Sequence, residues 1–176
     1  RYTDWQDFFY GGTSGITNVS LATSGGNENT SFRLGGSYHN QGTVYPGDFH
    51  YRKVTGNLNL NHTSENKKLT LDLSVNYGID NNDLAGNVNF GSNVFMLPPN
   101  APSIFNEDGN LNWEDWAEAG LNNPFEGFFN SSNTQTNNLV SSLGASYQLF
   151  TGLKIRTNVG YTFFNSRELV KRPRSS

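Results

Sequence analysis

The 176-residue chain has no cysteine, no long apolar run and few charges, and each shortage removes a class of protein. Without cysteine there is no disulfide, no thiolate metal site and no cysteine nucleophile. No stretch approaches the roughly 18 consecutive apolar residues of a spanning helix, and the mean hydropathy is -0.60, which excludes a helical membrane protein. Charged residues make up 15% of the chain, against about a quarter in an ordinary soluble domain. A protein so poor in charge has to hide its apolar surface or be lodged in something. The formal charge of -3 and the lack of a basic stripe with interleaved aromatics exclude nucleic acid as a partner. The opening Arg1-Tyr2-Thr3-Asp4 lacks the layout of a targeting segment, so any signal peptide is expected outside this stretch.

Asparagine is abundant, at 26 residues. Leu, Ile, Val and Phe supply about 24% of the chain, above the level of roughly 20% below which disorder is the default. Their arrangement is the main signal. Over 69–80, Leu69, Leu71, Leu73, Val75, Tyr77 and Ile79 alternate with Thr70, Asp72, Ser74, Asn76 and Gly78, the pattern of a two-faced strand. Similar runs occupy 153–165, 137–150, 49–62 and 31–41, with a weaker one at 16–24. The linkers between them alternate too. Gly25 to Asn29, Thr63 to Lys68 and Phe150-Thr151-Gly152 are short and rich in turn residues. Asn40 to Asp48 is longer, and 81–136 is very long.

Strands of about ten residues joined by alternating short turns and long loops form the layout of a transmembrane β-barrel. The predicted fold is all-β, an antiparallel up-and-down meander of about six strands. Lipid takes the apolar face, and polar side chains line the lumen. Tyr38, Tyr77, Tyr161 and Phe163 lie toward the long-loop ends of their strands, and Phe32, Tyr147 and Phe150 toward the short-turn ends, as two interfacial girdles require. A soluble β-sandwich also alternates, but its strands average only about five or six residues.

The residues also resemble a known family. Thr3-Asp4-Trp5-Gln6-Asp7, Asn18-Val19-Ser20-Leu21 leading into Ser24-Gly25-Gly26-Asn27-Glu28-Asn29-Thr30, and Ser37-Tyr38-His39-Asn40-Gln41-Gly42 resemble, in order and spacing, SusC/RagA-type TonB-dependent outer-membrane transporters. Asp48-Phe49, Phe105-Asn106-Glu107-Asp108-Gly109 and Asn123-Pro124-Phe125 extend the resemblance along nearly the whole chain. It implies import of glycan oligomers or peptides across a Gram-negative outer membrane, with outer-membrane lipid around the barrel and a SusD-like surface lipoprotein as partner. Energy comes from TonB-ExbB-ExbD through a plug. Such barrels have 22 strands, so residues 1–176 are expected to be an internal section of one, without plug or TonB box. Six strands are too few to close a barrel, for which about eight are needed.

No catalytic motif is present among G-x-S-x-G, the P-loop, H-E-x-x-H and G-x-G-x-x-G, and no enzyme or cofactor is expected. Parity separates His39 from His50 and His62, which argues against a shared metal site. Asn106-Glu107-Asp108-Gly109-Asn110 lacks the spacing of an EF-hand loop and reads more simply as an Asp-Gly turn. Four apparent glycosylation sequons, at Asn18, Asn29, Asn61 and Asn130, follow from composition. Two groups remain as candidates. Arg33, Asp72, Lys154 and Arg156 fall on the lumen face, placed to touch a solute or plug or to pair with one another. Trp113, Trp116, Phe125 and Phe128, with Phe129, lie in the long loop, placed for ligand or partner contact or for packing the loop on itself. Two rival readings are a small complete barrel serving as an adhesin or structural protein, with Val88, Phe90, Val94 and Met96 as a seventh strand, and a soluble carbohydrate-binding sandwich using Trp113 and Trp116.

Overall fold

The computed structural model describes residues 2–85, 90–126 and 130–172. Six strands, β1 Ile16–Gly26, β2 Thr30–Gly42, β3 His50–Thr63, β4 Leu69–Ala85, β5 Ser131–Phe150 and β6 Leu153–Lys171, form one antiparallel sheet in sequence order. The meander predicted from alternation is the observed fold. Three short helices accompany it: α1 Trp5–Tyr10, α2 Phe90–Met96 and α3 Glu114–Glu118.

Turn chemistry sets the register at the short-turn rim. The Asn27 side chain accepts from the Asn29 and Thr30 amides, an Asx turn that mimics a backbone turn. Ser64 accepts from Leu69 N–H through its hydroxyl, while its own amide donates to Leu69 O. Gly152, at φ 94, completes the β5–β6 turn in a conformation that side chains other than hydrogen resist.

The strands outrun the alternating runs. Residues 81–85 and 131–135, expected in the long loop, pair with one another as the upper ends of β4 and β5, Thr136 of the expected loop pairs with Asp80, and β6 continues past 165 to Lys171. Backbone pairing carries on there although the side-chain contrast fades: the face holding Leu69 to Ile79 continues as Asn81 and Asp83, and the β5 partners are Gln135 and Asn133. The seventh strand imagined through Val88, Phe90, Val94 and Met96 is corrected. Residues 90–96 form α2, whose Val94 packs with Leu97 against the buried loop residues, and Val88 lies outside the described residues.

Among the described residues no element packs over either face of the sheet, so no second sheet of a sandwich lies among them. Every residue of β1 and β6 is exposed. Register gives each face its character. Rows such as Phe32–Leu60–Leu73–Leu143–Val159 and Leu34–Leu58–Val75–Ser141–Tyr161 cross one face. Ser37–Thr55–Gly78–Asn138–Phe164 and Gly35–Asn57–Asn76–Val140–Thr162 cross the other. On the apolar face the charged strand residues are Arg52, Asp83, Arg167 and Lys171, all at the long-loop rim.

Candidate functional site

Arg33, Asp72, Lys154 and Arg156 all fall on the polar face, toward the short-turn rim, and all are exposed. Their cross-strand neighbours are small or neutral: Arg33 faces Ser24 and Asn59, Asp72 faces Asn61 and Gly144, Arg156 faces Ser146, and Lys154 faces Gln148. Two strand spacings separate Asp72 from both Arg33 and Arg156, about 10 Å before any offset along the strands. Among the described residues the recorded ion pair is His50–Asp48, at 3.8 Å, and none joins these four. They share a face and a rim without meeting.

Higher on the same face the sheet has a concavity of about 390 Å³ that parity had not singled out. Lys53, Thr55, Asn57, Asn76, Asp80, Thr136, Asn138 and Phe164 line it. Its cause is Gly78, which stands between Thr55 and Asn138 in the row and leaves space that a side chain would occupy. Lys53 and Asp80 are direct cross-strand neighbours at its upper edge. The surface offers amides, hydroxyls, one aromatic ring and a pair of opposite charges, a set suited to holding polar solutes by hydrogen bonds rather than to nucleophilic chemistry. The available signal was the shared even parity of Asp72, Asn76 and Asp80, but ending the strand at 80 left Asp80 at its margin.

The three histidines do not converge. His39 contacts Asn18 on the polar face, His62 Nδ1 lies 2.7 Å from Thr30 Oγ1 on the other, and His50 is beside Asp48. Among the described residues no group of three or more His, Cys, Asp and Glu is placed to hold a metal ion. Asn106–Asn110 is a tight turn: Gly109, at φ 79, donates to Asn106 O, Asn106 donates to Asn110 O, and Phe105 bridges Leu111.

The other candidate is the loop cap. Residues from the N-terminal segment and from 97–126 build a closed core of Trp5, Phe9, Ala101, Ile104, Leu111, Trp116 and Phe125. Asp4 caps α1 by accepting from the Gln6 and Asp7 amides, and the i, i+4 spacing puts Trp5 and Phe9 on one helix face. Trp5 then meets Trp116 at 6.3 Å, and Phe9 stacks on Phe125 at 5.7 Å. Both indoles donate to carbonyls, Trp5 to Pro98 and Trp116 to Ser103, as buried tryptophans require. Asn123, 2% exposed, donates to Ile104 O and Asn112 O and accepts from Phe125 N–H, so one amide ties three backbone segments.

The cap decides the fate of the loop aromatics. Trp116 and Phe125 are each 1% exposed and face other rings, so in this structure they pack the loop on itself. Trp113 is exposed. Phe128 and Phe129 lie outside the described residues. The cap meets the long-loop end of the sheet where Ser14 Oγ and the Gly15 carbonyl bond Gly42, and Tyr10 meets Tyr45 at 5.4 Å. Partial burial, and then Tyr45, raise the Tyr10 phenol above its ordinary pKa.

No family model matches the chain. Among curated proteins the chain is similar to TonB-dependent receptor P3 of Formosa agariphila, with 25% identity over 176 residues, covering 94% of this chain and 17% of that protein. It spans less than a fifth of the length of that relative. The likeness agrees with the TonB-dependent part of the resemblance drawn from the residues.

Proposed function

We propose that this chain forms part of the wall and external mouth of a TonB-dependent outer-membrane importer for glycan oligomers or peptides, working with a SusD-like surface lipoprotein. The observation that carries the reading is the charge-free apolar band on one face of a sheet whose other face is polar. In β4 the band runs from Leu69 to Ile79. Ten residue steps of about 3.4 Å, tilted about 40°, project to about 26 Å, against the roughly 25 Å apolar belt of outer-membrane barrels. Above it the same face turns to Asn81, Asp83, Gln135 and Arg167, as a strand leaving lipid for water requires.

The rest of the chain fits that orientation. Short turns face the periplasm, and the cap stands outside, at the mouth. β1 and β6 are the sheet edges, where further barrel strands pair. The polar face, with its concavity and with Arg33, Asp72, Lys154 and Arg156, lines the lumen, where it contacts solute or plug. A plug engaging TonB-ExbB-ExbD supplies the energy, and this section supplies passage and no catalysis. The similarity to a TonB-dependent receptor supports the reading.

Cysteines in the full-length protein on intact cells test it. Asp108→Cys, at the tip of the cap turn, is labelled by a membrane-impermeant maleimide from outside. Lys68→Cys, at a short turn, is labelled only after the outer membrane is permeabilised. Equal labelling of both on intact cells rejects the orientation.

A further inference from the structure

Resting on the importer reading above, we infer that the concavity at Gly78 is a subsite for one uncharged sugar ring of the transported solute. Phe164 and Val140 form its apolar floor, and the carboxamides of Asn57, Asn76 and Asn138 form a rim that binds hydroxyls. At this point of the wall the choice between glycan and peptide falls to the glycan.

Gly78 lies inside β4 with no backbone reason to be glycine. Its φ is not positive, and a Cβ there would meet nothing nearer than Thr55 Cγ2, at 3.9 Å. Gly35 and Gly144, on the same face, differ. A Cβ at those positions would stand 2.8 Å from Asn57 Oδ1 and 3.0 Å from Asn158 Oδ1. Glycine inside a strand weakens it and brings no packing. What it yields at Gly78 is room, and the concavity of about 390 Å³ is that room.

The lining selects the occupant. From the row Ser37–Thr55–Gly78–Asn138–Phe164 down to the short turns, β2 to β6 place two apolar side chains on the polar face, Val140 and Phe164, and both line the hollow. They are 42% and 66% exposed. That row and the next, Gly35–Asn57–Asn76–Val140–Thr162, carry no charge. Lys53 and Asp80 oppose each other one row above. A charged ring seated between uncharged rows would lose water without gaining a partner. A neutral pyranose fits on both sides. Its C–H face meets the negative face of an aromatic ring, and each hydroxyl both donates and accepts, as each carboxamide does. A peptide binds a sheet chiefly by pairing its backbone along a free edge. The hollow lies over β3, β4 and β5, whose backbones are already paired on both sides.

Saturation-transfer NMR on the full-length protein in detergent reads the site. The probes are the methyl glycosides of glucose, galactose, mannose and xylose, then glucuronate, glucosamine and trialanine. At least one neutral glycoside is expected to bind, and Gly78→Leu, which fills the hollow, to abolish that binding. Phe164→Ala weakens it by about three- to tenfold, the scale of losing a ring contact. Gly160→Leu adds the same bulk on the same face outside the hollow, where a Cβ would meet Ser141 O at 3.7 Å, and leaves binding unchanged. The inference is overturned if no neutral glycoside binds, if Gly78→Leu binds undiminished, or if a charged sugar or trialanine binds as well in a Gly78-dependent way. Cysteine labelling keeps the two readings apart. Labelling of Asp108→Cys but not Lys68→Cys on intact cells, without Gly78-dependent sugar binding, removes the subsite alone. Equal labelling removes the importer reading with it.

Discussion

The loop cap hides its large side chains, and the sheet shows them. Trp5, Phe9, Trp116 and Phe125 are almost wholly buried, whereas Leu21 is 78% and Val159 62% exposed. Both regions are rich in aromatic and aliphatic residues, so composition does not explain the difference. The cap has a closed core and satisfied indole and amide groups, the arrangement of a unit that folds against water. Among the described residues the sheet has no layer over either face, and soluble monomers rarely expose apolar patches beyond a few hundred Å². One region makes its own interior; the other, on the proposed reading, meets lipid on one side and a polar lumen on the other.

Breaking each region calls for the opposite substitution. In the cap the largest effect is expected from Trp116→Ala, which removes the central ring and its bond to Ser103 O and costs about 3–5 kcal/mol. Hydrogen exchange checks it: cap amides lose protection while β3–β5 amides keep theirs. In the sheet, Leu143→Arg puts a charge near the middle of the band and costs about 2–4 kcal/mol in a bilayer, read by denaturant titration in lipid vesicles. A value near zero would mean that this face meets water. Asn123→Ala removes a buried amide and leaves Ile104 O, Asn112 O and Phe125 N–H without that partner, which costs about 1–3 kcal/mol and is seen as faster proteolysis within 97–126. The smallest effect belongs to the polar face: Asn76→Ser, in an exposed polar row, shifts stability by no more than about 0.5 kcal/mol. The same denaturant titration serves, and a large loss there would show that the polar face is packed rather than wet.

Sequence made some of this visible and hid the rest for physical reasons. Leu69 to Ile79 declare a strand because apolar and polar residues alternate at every step and give its two faces opposite chemistry. Past Ile79 both faces are polar, so Asn81 and Asp83 carry no contrast, and the strand there is held by backbone pairing that composition does not report. Phe90 and Met96 alternate like a strand, but helical spacing turns Val94 toward the cap core. Trp116 was visible as an aromatic in a long loop. Its burial was not, because it depends on Trp5, more than a hundred residues earlier. The face of Arg33, Asp72, Lys154 and Arg156 followed from parity, whereas their separation depended on register and strand count. Gly78 looked like any polar-face residue until its neighbours Thr55 and Asn138 framed the concavity.

The most direct test of the two-solvent account uses adjacent residues of β5. Leu143→Cys and Ser142→Cys, each labelled with an environment-sensitive fluorophore in the reconstituted full-length protein, are quenched in turn by brominated lipid and by aqueous iodide. The account predicts that brominated lipid quenches the label at 143 and iodide the label at 142. Quenching of both by iodide, with no response to brominated lipid, would contradict it.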